Sequence, residues 1–128
     1  MKRIIKDMLE IYVPNSNLDW MNYRIYDPKD LTFHHIIKRE DGGKEKISNG
    51  AILLREPHQY LHVIEYKALD VYISLNKIFE IVNKQNTEPT EEQREIVEYL
   101  LNKFEYEHEE ELNAKGKILI KDSYKKRW

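Results

Sequence analysis

The chain has 128 residues, 41% of them hydrophobic and 34% charged, with a formal net charge of −2. That length suits one domain around one modest core, and a mean hydropathy of −0.76 with a pI of about 6.2 describes a heavily solvated surface without a basic excess. The absence of cysteine excludes disulfides, thiolate metal sites and cysteine nucleophiles, so any metal must be held by histidine and oxygen ligands.

Residues 2–12 read as a short amphipathic helix, with Ile4, Ile5, Met8, Leu9 and Tyr12 near a 3.6 period. Pro14 and the polar residues after it end that helix. Asp7 and Glu10 interrupt the basic N-terminal stretch before any long apolar run, and runs such as residues 51–54 are too short to cross a bilayer. No signal peptide is read, so a cytoplasmic location without a membrane partner is expected. Residues 18–26 are aromatic-rich and fit either a helix or an extended segment.

A strand is predicted over residues 31–37 and a second, short and apolar, over 51–54. Between them lies a charged loop with Gly42-Gly43 at its tip, the residue type a backbone needs where φ turns positive. Pro57 suits the first turn of a following helix, where its missing N–H has no intrahelical partner. Helical character continues to about residue 86, with a bend expected near 66–69. Leu69, Tyr72, Ile73, Leu75, Ile78, Phe79 and Val82 supply its apolar positions. Thr90 and Gln93 have the spacing of a capping box. The last helix is predicted to run to about residue 112, with Ile96, Val97, Leu100, Leu101 and Phe104 on one face. Its acidic end, residues 105–111, opposes the helix dipole and is expected to fray.

Four of the five histidines fall within residues 34–62. His58 and His62 lie four apart and project from one helix face, the spacing of two imidazoles sharing a divalent metal. Alone, that pair more often marks two ordinary surface histidines. The doublet His34-His35 offers a third nitrogen, and three protein ligands with open positions make a catalytic rather than a closed site. Imidazole favours zinc, nickel and other late metals over magnesium. Strand alternation sends neighbouring side chains to opposite faces, so both members of the doublet serve one site only at a strand end or an irregularity.

The order His34-His35-Ile36-Ile37, Asn49-Gly50-Ala51-Ile52-Leu53-Leu54, His58-Gln59-Tyr60-Leu61-His62 resembles the HNH endonucleases of the ββα-metal (His-Me finger) fold. It is most similar to the colicin-type DNases, whose metal ligands are all histidines. The resemblance covers about 30 residues. It implies an α+β domain with a ββα-metal core, an N-terminal helix and two longer C-terminal helices. The single domain 1–128 then divides into a core motif (31–64), a helical extension (65–112) and a basic tail (113–128). It implies one divalent ion (zinc, nickel, manganese or magnesium) on His34, His58 and His62, with His35 as general base and Asn49 tying the loop to the first strand or orienting the His35 ring. The expected activity is endonucleolytic phosphodiester hydrolysis, with DNA as partner and Lys38, Arg39, Lys44, Lys46 and Arg55 as candidate phosphate contacts. No protein partner is identified. The competing reading is a non-catalytic protein of the same fold, a phage-type regulator or inhibitor, with residues 105–111 as a protein-binding surface.

Overall fold

A computed structural model describes residues 1–109. The order is helix α1 (Arg3–Ile11), strand β1 (Leu31–His35), strand β2 (Gly50–Leu54), then helices α2 (Arg55–Lys67), α3 (Leu69–Gln85) and α4 (Glu91–Glu107). This is an α+β arrangement in which the helices surround a two-stranded antiparallel sheet. No helix among the described residues is long and apolar enough to cross a membrane. The basic tail and residues 110–112 of the expected last helix lie outside the described residues.

The strands pair from Leu31 opposite Leu54 to His35 opposite Gly50. Every residue of β2 is buried, so this strand forms the middle of the core, while β1 alternates and keeps Thr32 and His35 partly exposed. Gly50 is required by packing: a Cβ there would come 2.3 Å from the Phe33 ring and 3.0 Å from Met8 of α1. β1 ends two residues earlier than expected. Beyond it the Ile36 N–H donates to the Asn49 carbonyl, and both backbone groups of Ile37 are taken by the Asn49 side chain. At the loop tip only Gly42 has positive φ, +91°. Gly43 is needed for space instead, since a Cβ would collide with the Ile37 carbonyl.

The aromatic segment 18–26 is neither helix nor regular strand. It is an irregular loop held by one bridge between Leu18 and Arg24, with Trp20, Met21, Tyr23 and Ile25 buried. The buried Asp19 carboxylate organises it. One oxygen accepts the N–H groups of Met21 and Tyr23; the other accepts that of Leu54, where β2 passes into α2. Arg94 of α4 locks the same loop by donating to the Asp19 carbonyl and to Asn22, and it also reaches Ser16 and Glu88.

The bend expected near residues 66–69 is a full break. Ala68, at φ −147° and ψ 76°, separates α2 from α3. α2 starts at Arg55, so Pro57 sits within the first turn, where the missing N–H costs no helical bond. The Thr90–Gln93 capping box forms as expected. The inward face of α4 is Arg94, Val97, Leu101 and Phe104, while Ile96 is half exposed, as are Leu69 and Ile73 of α3. These three apolar residues fit the helical period but fall outside the buried arc.

Candidate metal centre

His34, next to last in β1, is 1% exposed. It faces the helices, with its ring 5.2 Å from that of His58 and 6.1 Å from that of His62, centroid to centroid. His58 and His62 project one turn apart on α2 with ring centroids 5.0 Å apart. One ligand nitrogen from each of the three lies within 4.8 Å of the others, and the His34 Nδ1 to His58 Nε2 distance is 3.3 Å. Tyr72 and Phe79 of α3 close the apolar wall around His34.

The electrostatics suit a cation rather than a set of imidazolium ions. Burial pushes the His34 ring down to about 3, helped by repulsion from His58, His62 and His35 and opposed by a bond to Asn76. Burial, then repulsion from His62 and His35, pushes His58 down to about 4. Both are therefore neutral at physiological pH, the form that ligates metal. Three histidines close enough to bind a metal ion are thus present, and a neutral, converging imidazole set fits a divalent transition metal.

Each ring also has an outer partner. His34 Nε2 is 2.8 Å from Asn76 Oδ1, His58 Nδ1 is 2.8 Å from Thr32 Oγ1, and His62 Nδ1 is 3.1 Å from Glu65 Oε1. None of these three partners was singled out in the sequence. Thr32 and Glu65 had local signals: Thr32 shares a strand face with His34, and Glu65 follows His62 by three residues on α2. Asn76, 42 residues from His34, had none.

The doublet sits at the end of β1, as one site for both rings would require, yet alternation persists. His35 lies on the other face with Phe33, ring centroids 4.9 Å apart at 83°. Burial and the nearby Arg39 and Lys2 lower its pKa against the pull of Glu45. Its Nε2 is buried without a hydrogen-bond partner among the described residues. His35 remains close enough to act electrostatically on both His34 and His58.

Asn49 ties the loop to the strand. Its amide oxygen accepts the Ile37 N–H at 2.7 Å, and its amide nitrogen donates to the carbonyls of Ile37 and Lys44, both at 3.0 Å. Among the expected phosphate contacts, Lys38 is already occupied: it pairs with Glu65, and with Glu40 at 3.5 Å. The hydrogen bond to Glu65 raises the Lys38 pKa. Burial works to raise Glu65, but its bonds to Lys38 and His62 outweigh this and leave it lowered. Arg39, Lys44, Lys46 and Arg55 are exposed and free of such a clamp in the site.

No protein-family model matches this sequence, and neither a curated protein nor a solved structure is detectably similar to it.

Proposed function

We propose that the protein is a divalent-metal-dependent endonuclease of the ββα-metal type that hydrolyses phosphodiester bonds in DNA. The observation that carries this reading is the convergence of His34, His58 and His62 on a β-hairpin followed directly by a helix. Asn49, at the second strand's entrance and bonded to the loop, supports it.

His34, His58 and His62 would hold the ion, with zinc or nickel favoured by an all-imidazole set. A bound divalent ion supplies polarisation of the scissile phosphate and neutralises charge on the leaving oxygen. On this reading His35, on the opposite strand face from His34 and with its neutral form favoured by burial, would take a proton from water at the strand end. The water oxygen bonds to phosphorus as the bond from phosphorus to the 3′ oxygen breaks, and the departing oxygen is protonated by solvent. Arg39, Lys44, Lys46 and Arg55 attract flanking phosphates electrostatically, and Lys38 joins them when substrate competes with Glu65.

The test is nicking of supercoiled plasmid by the purified protein with zinc, nickel, manganese and magnesium in turn. Cleavage is expected with at least one metal. His35→Ala is expected to lower cleavage at least ~100-fold, the usual contribution of a general base, while metal affinity stays within about twofold. Full activity in that variant removes His35 from its role. Failure of the folded, metal-loaded protein to cut with any of the four removes the nuclease reading and favours a non-catalytic binding protein.

A further inference from the structure

We infer that Asn76, Thr32 and Glu65 are positioning residues that set the tautomers of His34, His58 and His62, so that a metal is taken through Nδ1 of His34 and through Nε2 of His58 and His62. The inference rests on the metal-centre reading of these histidines and not on cleavage.

The hydrogen-bond directions leave one solution at each ring. The Thr32 hydroxyl has a single proton, and it goes to the Leu53 carbonyl at 2.7 Å, because a carbonyl only accepts. At 2.8 Å from His58 Nδ1, Thr32 Oγ1 must therefore accept, so His58 carries its proton on Nδ1. The Asn76 amide is oriented by its nitrogen, which donates to the Ile36 carbonyl at 3.1 Å. Its oxygen thus faces His34 Nε2, which must be the protonated nitrogen. The Glu65 carboxylate, held ionised beside Lys38, accepts from His62 Nδ1.

The remaining ring nitrogens of His34 and His58 present lone pairs. Those on His34 Nδ1 and His58 Nε2 face each other across 3.3 Å. If the His34 proton moved to Nδ1 to bridge that gap, Nε2 and the Asn76 oxygen would become two acceptors in contact. Two buried acceptors pointing at each other are unfavourable, and a cation between them removes the conflict. The three outer partners come from β1, α2 and α3, so three elements must assemble before the donor set is complete.

Nitrogen NMR of the imidazole side chains in the metal-free protein near neutral pH reads the tautomers directly. The expected result is the Nε2–H form for His34 and the Nδ1–H form for His58 and His62. Thr32→Val keeps the side-chain shape but removes the acceptor. It is expected to shift His58 toward Nε2–H and to weaken zinc binding ~10–100-fold, the usual cost of losing such a partner. Thr32→Ser is expected to restore both. Glu65→Leu, on α2 outside the hairpin, reads the same effect at His62 if Thr32→Val disturbs the strand pairing. An Nε2–H His58 in the unaltered protein overturns the inference. So does unchanged tautomer and zinc affinity in Thr32→Val, even if the protein cuts DNA. If the unaltered protein takes up no zinc or nickel, the ligand assignment falls together with the metal reading.

Discussion

At the scale of single residues, neutrality decides what the buried histidines can do. His58→Ala removes a candidate metal ligand whose neutral form burial favours. Zinc affinity is expected to fall at least ~100-fold by titration calorimetry, with far-UV circular dichroism unchanged; unaltered affinity would remove His58 from the centre. Tyr72 poses a different question. It is 5% exposed, and its buried hydroxyl makes no direct hydrogen bond among the described residues, though Asn76 lies beside it. A desolvated donor without a partner costs on the order of 1–3 kcal/mol. Tyr72→Phe is therefore expected to raise the stability of the metal-free protein by ~1 kcal/mol in urea denaturation. A loss of similar size would reveal a partner that the hydroxyl depends on.

Among the elements, the loop between the strands depends most on one side chain. Asn49 satisfies three backbone groups at once, two of them on Ile37 and one on Lys44. Asn49→Ala leaves these groups without that partner, and a destabilisation of about 1–3 kcal/mol is expected, local to the loop. Hydrogen exchange at the Ile37 amide is the direct measurement; unchanged protection there would contradict the tether. The sequence was informative wherever partners lie close along the chain. The helical pair His58 and His62, the Thr90–Gln93 box and the glycine tip all follow from local periodicity or turn chemistry. That the bend expected near residues 66–69 is a full break at Ala68, and that β1 ends early, were not legible. Each is set by competition between the ladder or helix and contacts made elsewhere, as when the Asn49 side chain takes over the groups of Ile37. The segment 18–26 was ambiguous for the same reason: its order comes from Asp19 and from Arg94, 75 residues away.

Over the whole molecule, the buried His34 and Asp19 and the partly buried His58 shape the response to acid. His34 and His58 have folded pKa values of about 3 and about 4, below the ordinary imidazole value of 6.5. Their contribution is present above pH 6.5 and is lost as pH falls through the folded values, because the unfolded chain binds protons first. Asp19 runs the other way. Burial raises it from 3.8 to about 6, against hydrogen bonds from Leu54, Tyr23 and Met21 and the charge of Arg94. Its contribution is present below 3.8 and is lost as pH rises through 6. Between pH 6 and 4 two histidines oppose one carboxylate. The metal-free protein is expected to lose on the order of 1 kcal/mol per pH unit there. Urea midpoints across this range give the check, and a flat profile would contradict the burial of the two rings.

The strut formed by Asp19 has a consequence for how the protein is made. It holds the junction between β2 and α2, from which His58 projects, and it is itself clamped by Arg94 in the last described helix. A ribosome delivers the chain from its N-terminus, at about 5–20 residues per second. The three histidines therefore leave the ribosome well before Arg94, which clamps the loop that braces them. A nascent chain carries the histidines without the clamp that stiffens their support, and the centre matures only when nearly all of the core has emerged.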